Sequence, residues 1–234
     1  MNAKTIINKL IAQRNPEKAE TVSSFFQTKK GQYAEGDVFL GVTVPQSRKV
    51  VASYTHLPLQ EVAKLLQSKY HECRFVALVI LVNKFEGGNE TTKEAVYNFY
   101  LNHTQRINNW DLVDVSCYKI VGPWLLDKDR EVLYNLAKSS WLWDQRIAIV
   151  STMAFIRNNE FEDTLQLSEY FLTHSHHLIH KACGWMLREV GKRDKSTLTQ
   201  FLDKHASQMP RVMLRYSIEK LSKEERNTYL RALI

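Results

Sequence analysis

Apolar residues recur every three to four positions along nearly the whole chain, the spacing that lines one face of an α-helix. Read from end to end, that period predicts helices over 3–14, 17–27, 46–54, 59–68, 71–86, 91–103, 109–126, 129–138, 142–157, 161–173, 177–190, 195–206, 210–220 and 223–232. Pro16, Pro45, Pro58 and Pro210 fall at expected first turns, where proline's missing amide hydrogen costs little. Gly191 falls where a C-terminal cap is expected. The long stretch from Thr28 to Val44 breaks the period. It holds Gly31, Gly36 and Gly41, too few for a phosphate-cradling loop of the common nucleotide-binding kind. The pattern predicts an all-α fold.

Four of the more apolar helices align with one another: CRFVALVILV, WDLVDVSCYKIV, QRIAIVSTMAFI and HKACGWMLREV. In that alignment Arg74, Asp111, Arg146 and Lys181 mark successive units, 37, 35 and 35 residues apart. Polar openings followed by apolar faces suggest an α-solenoid, in which each helix pair buries its inner face against its neighbours. The period is shorter than a standard HEAT unit. A solenoid curves, so the openings of its inner helices would line a concave surface.

Composition agrees with one globular domain over 1–234: 44% of the residues are hydrophobic and 24% charged. The most apolar run, Phe75 to Val82, is too short to cross a bilayer, and no secretory leader is visible between Met1 and Arg14. A soluble cytoplasmic protein is expected. Cys73, Cys117 and Cys183 are odd in number and lie in predicted core helices, so they read as free thiols rather than metal ligands.

Charge narrows the partners. The net charge is +7, and residues 181–234 hold 12 Lys and Arg against 6 Asp and Glu. Such asymmetry is the footprint of a phosphate-binding surface, although many basic proteins bind no nucleic acid.

The helix openings hold the candidate chemistry. Asn109 or Asp111 can cap the central helix, and Asp114, four residues after Trp110, shares its helical face, so an indole and a carboxylate project together. The plainer reading is a core Trp beside a salt-bridged Asp. Lys181, Trp185 and Arg188 form one stripe of an aromatic and two cations, which suits a surface tracking a phosphate backbone or a core Trp flanked by snorkelling cations. Trp141 and Trp143 precede Arg146, and at least one of these Trp residues is expected to pack in the core. His174, His176, His177 and His180 read as a solvated helix entrance rather than a metal site.

Several ordered landmarks resemble those of the AlkD-like bacterial alkylpurine DNA glycosylases, a family with HEAT-like helical repeats. They are Gly36-Asp37-Val38-Phe39-Leu40-Gly41-Val42 followed by Pro45 and Arg48; Asn109-Trp110-Asp111-Leu112-Val113-Asp114; Arg146-Ile147-Ala148; Leu178 to Ala182 with Gly184 to Gly191; and Met209-Pro210-Arg211 with Leu214-Arg215-Tyr216. The similarity covers nearly the whole chain.

The resemblance implies hydrolytic release of N3- and N7-alkylated purines from duplex DNA, with no metal and no other cofactor, by a monomer. It matches Asp114 to the catalytic carboxylate, Trp110 and Trp185 to an aromatic pair, and Arg146 to an active-site arginine. Arg48, Lys181, Arg188, Lys192, Arg193, Arg211 and Arg215 are the expected DNA contacts, on an open concave face. The rival class is a non-catalytic α-solenoid that binds DNA or a protein partner. An exposed carboxylate amid cations separates the two, since a surface that only binds phosphate has no use for one.

Overall fold

The computed structural model describes residues 2–231, which are helical with no strand among them. The chain divides into two compact units, Met1–Ile120 and Val121–Ile234. The first holds α1 (Ala3–Ile11), α2 (Pro16–Phe25), α3 (Val44–Val51), α4 (Leu59–Leu66), α5 (His71–Glu86) and α6 (Glu90–Leu101), and most of α7 (Trp110–Trp124). The second holds α8 (Glu131–Ala137), α9 (Leu142–Ser151), α10 (Met153–Arg157), α11 (Glu162–Tyr170), α12 (His177–Arg193), α13 (Lys195–His205), α14 (Arg211–Ser217) and α15 (Lys223–Arg231). No helix among the described residues is long and apolar enough to cross a membrane.

One helix organises each unit. In the first it is α5, whose residues from His71 to Val82 are all buried beneath α1, α3, α4 and α6. Burial on every side explains why the run from Phe75 to Val82 is continuously apolar instead of striped. In the second it is α12, which packs against α9, α10, α11, α13 and α14. Its Gly184 lets α14 come close, because a Cβ there would lie 2.5 Å from the Met213 carbonyl oxygen. Cys73, Cys117 and Cys183 are buried free thiols, as expected.

Several boundaries differ from the sequence pattern, each for a local reason. The segment 142–157 breaks into α9 and α10 because the Thr152 amide and hydroxyl both donate to the Ile149 carbonyl, at 3.2 and 2.7 Å. The segment 161–173 ends in a 3-10 turn at Phe171–Thr173. Gly191 is not a cap: α12 continues to Arg193 and is closed by Asp194, whose amide returns to the Val190 carbonyl at 2.8 Å. Gly191 instead sits at a close contact with α13, where a Cβ would meet Leu198 Cδ2 at 2.3 Å. Pro58 and Pro210 stand one step earlier than expected, as N-cap residues of α4 and α14. Residue 232, the predicted end of the last helix, lies outside the described residues.

The aperiodic loop before α3 is held by its backbone. Leu40, Gly41 and Val42 turn their amides onto the Glu72 carboxylate, with four N···O contacts of 2.8 to 3.2 Å. Successive amides facing one anion form a nest, and Glu72, 5% exposed, neutralises it from within the chain. Gly41 has φ +77°, and a Cβ there would lie 2.2 Å from the Asn15 carbonyl oxygen and 2.7 Å from the Ala19 amide. Gly36, at φ +85°, faces open space. Gly36→Ala should therefore cost only the left-handed penalty of about 1–2 kcal/mol. Gly41→Ala should cost more, because α2 must move as well. Urea unfolding midpoints of the two variants check this order, and equal losses would contradict it.

Candidate active site

The half-exposed residues of α7 between Trp110 and Ile120 are Trp110, Asp111, Asp114, Val115, Tyr118 and Lys119. They form one stripe at helical spacing, while Leu112, Val113, Ser116, Cys117 and Ile120 face inward. The predicted sharing of a face by Trp110 and Asp114 is thus present.

The start of this helix is fixed by a buried polar network. His71 lies between two carboxylates, its Nδ1 donating to Asp37 Oδ2 at 3.1 Å and its Nε2 to Asp111 Oδ2 at 2.8 Å. Arg74 Nη2 donates to Asp37 Oδ1 at 2.5 Å and its Nη1 to the Ser68 carbonyl at 2.9 Å. Asn108 and Asn109 add amide donors to the same Asp37 carboxylate, at 3.0 and 3.1 Å. Asn109 Oδ1 in turn accepts the Trp110 amide at 2.8 Å. Of the two capping candidates, Asn109 therefore caps α7 and Asp111 is committed to His71. Two carboxylates and two cations balance in charge, which is the condition for burying them together.

Burial alone would depress the His71 pKa, but the Asp111 charge and hydrogen bond, with those of Asp37, raise it to about 9. For Asp37 burial acts to raise the pKa, yet the hydrogen bond to His71 and the charges of Arg74 and His71 hold it below its ordinary value. His71 is therefore an imidazolium at neutral pH, and both its nitrogens are donors.

Aromatic rings connect this network to Trp110. Phe39 stacks on His71 with centroids 4.4 Å apart, Phe26 stacks on Phe39 at 5.1 Å, and Trp110 stacks on Phe26 at 5.1 Å with planes 13° apart. Phe25, 66% exposed, meets Trp110 edge-on at 6.2 Å. Phe26 and Phe39 also line a cavity of about 280 Å³, together with His71, Glu72 and Asp111.

Arg146 and Trp185 belong to the second unit. Arg146, on α9, is 5% exposed and its Nη1 donates to the Leu178 carbonyl at 2.6 Å. Trp143 is a core residue at 2% exposure, as expected of at least one Trp in that turn. On α12, Lys181, Trp185 and Arg188 are all half-exposed along one stripe. Trp185 lines a cleft of about 310 Å³ with Arg157, Glu189, Lys192 and Arg193.

The expected DNA contacts differ in how far they are already engaged. Arg188 pairs with Glu219 and lies 3.4 Å from Glu189, and Lys192 contacts Glu189 at 2.7 Å. Arg211 donates to the Leu230 carbonyl at 3.4 Å. Arg48, Arg193 and Arg215 are exposed. Two of the four histidines are tied into the chain: His174 contacts Gln145 at 2.9 Å, and His176 accepts the Leu178 amide at 3.2 Å as N-cap of α12. Burial lowers the pKa of all four, that of His176 to about 4.

Sequence reasoning missed His71, Asp37 and the Phe25-Phe26 pair. One clue was available, since Asp37, Arg74 and Asp111 recur at intervals of 37 residues. Contacts among them could not be read from helical period, because they join three different elements.

Comparison with known proteins gives two findings. A family model described as DNA alkylation repair enzyme matches residues 6–221. A solved structure described as a predicted DNA alkylation repair enzyme from Enterococcus faecalis has the same fold. Its TM-score is 0.73 at 19% identity, covering 90% of this chain and 97% of that one. No curated protein sequence matches the chain significantly.

The network has a pH signature. His71 is protonated in both folded and unfolded chains below its ordinary value of 6.5, so its contribution to stability is complete there. Between 6.5 and about 9 the folded chain holds a proton that the unfolded chain releases, and stability falls as pH rises through that window. The loss should approach ~3 kcal/mol in urea unfolding. His71→Asn should start less stable and lack this decline. An equal decline in both proteins would show that His71 is not the titrating group.

Proposed function

Because this chain belongs to the DNA alkylation repair enzyme family, we propose that it hydrolyses the N-glycosidic bond of N3- and N7-alkylated purines in duplex DNA, as a monofunctional glycosylase. The observation that supports this most is the pairing of Trp110 and Asp114 on the half-exposed stripe of α7, whose first turn is anchored by a buried imidazolium. A carboxylate held at the surface of a basic protein serves electrostatics rather than packing.

The chemistry asks little of the protein. Alkylation at N3 or N7 makes the purine cationic, so it departs as a neutral base and leaving-group protonation is unnecessary. Positive charge then develops on the deoxyribose. Asp114 stabilises that charge and orients the attacking water. The π face of Trp110 favours the cationic nucleotide over an undamaged one. Roles for Trp185 and Arg146 rest on the family resemblance. Arg146 holds the Leu178 carbonyl at the opening of α12, the helix that carries Trp185, which suits a positioning part.

In this reading residues 1–234 act as a cytoplasmic monomer built of HEAT-like helix pairs, without metal or other cofactor. Its phosphate contacts include Arg48, Lys181, Arg188, Lys192, Arg193, Arg211 and Arg215. Those already paired with carboxylates must exchange partners when DNA binds.

The test is single-turnover release of free base from a duplex carrying one N7-methylguanine, with spontaneous depurination subtracted. Asp114→Asn is nearly isosteric and removes an anion near phosphates, so duplex affinity should hold or rise. Excision should slow about a hundred- to a thousandfold, corresponding to the ~2.7–4 kcal/mol of one lost transition-state contact. Wild-type excision by this variant would remove Asp114 from the mechanism. No release by the wild-type protein would favour the non-catalytic reading.

A further inference from the structure

Several long cations of the first unit are already engaged. Arg74 is buried against Asp37, Arg106 donates to the Leu66, Gln67 and Ser68 carbonyls, and Lys64 pairs with Glu61. Arg48 and Lys119 differ. Among the described residues neither has an ion-pair partner, although both line one small cleft of about 120 Å³. The cleft lies between α3, α5 and α7, and its remaining polar lining is Asn83 and Glu86.

Its location gives the cleft meaning. Val115, which forms part of its floor, directly follows Asp114, and Lys119 ends the half-exposed stripe that begins at Trp110. At 1.5 Å rise per residue, Lys119 stands about 7.5 Å along the helix axis from Asp114. Arg48 reaches the same space from α3 with a planar fork suited to paired oxygens, whereas Lys119 brings a point charge and Asn83 a neutral amide. Glu86 leaves the cleft one positive charge in excess.

We propose that Arg48 and Lys119, with Asn83, form a single binding site for one phosphodiester group of the duplex on which Asp114 acts. The inference rests on the repair reading above and adds a specific phosphate site in the first unit, which includes Lys119. Paired cations elsewhere must break an ion pair to meet DNA, but these two need not. They supply affinity without reading sequence. Glu86 sets a limit on that affinity, since it repels the same phosphate.

Equilibrium binding to an undamaged duplex and to one carrying N7-methylguanine, measured across a salt series, tests this. Each neutralised phosphate contributes about 0.9 to the slope of log affinity against log salt. The Arg48→Ala/Lys119→Ala double variant should lose about one such step on both duplexes, with an unchanged circular dichroism spectrum and melting temperature. Glu86→Gln should tighten binding at low salt. An unchanged slope in the double variant would overturn the site, a loss of two steps would mean two separate phosphates, and weaker binding by Glu86→Gln would show that the cleft does not hold an anion. If the wild-type protein has no affinity for duplex DNA, the repair reading falls as well. If it binds and the double variant keeps its slope, this site alone falls.

Discussion

The arrangement of the first unit depends on one buried cation, the His71 imidazolium between Asp37 and Asp111. The buried Asp37 carboxylate, left without its partners in this interior, would carry a desolvation cost of several kcal/mol. Together with Arg74 the four charges cancel, and their hydrogen bonds tie the loop before α3, the first turn of α5 and the first turn of α7 to one point. Directional contacts of this kind fix helix register in a way that apolar packing does not. Leucine against leucine tolerates a small slide, but two hydrogen bonds from one imidazolium do not.

That constraint reaches the surface by a short route. Asp111 is the second residue of α7, so fixing its carboxylate fixes the rotation of the helix about its axis. Trp110 is set by the Asn109 cap on its amide and by Phe26 against its ring. Asp114, one turn later, inherits the same orientation. For the proposed reaction this matters, because electrostatic catalysis depends on groups placed before the reaction begins, and a rigid helix start would supply that placement. The Glu72 carboxylate plays the matching part for the loop, closing three backbone amides that would otherwise be an anion site.

Much of this was legible in the sequence and some of it was not. The all-α fold followed from apolar period, and Trp110 with Asp114 on one face followed from a four-residue spacing within a single helix. Both are local facts. The network was not legible because Asp37, His71 and Asp111 are separated by 34 and 40 residues, and nothing in helical period says which polar openings meet. Gly191 was misread for a related reason. Its neighbour Leu198 belongs to the next helix, so a glycine at a packing contact looked like a glycine at a helix end. The charge excess after residue 181 predicted a phosphate surface there, but several of those cations already hold carboxylates.

A protonated His71 is the claim on which the placement of Trp110 and Asp114 rests, and nitrogen-15 NMR of the imidazole rings tests it most directly. With selectively labelled histidine and assignment by His71→Asn, the His71 ring should show two protonated nitrogens at pH 8 and titrate near pH 9. A His71 ring that is neutral at pH 8, with one nitrogen unprotonated, would contradict the account, because one carboxylate would then lack its donor and α7 its anchor.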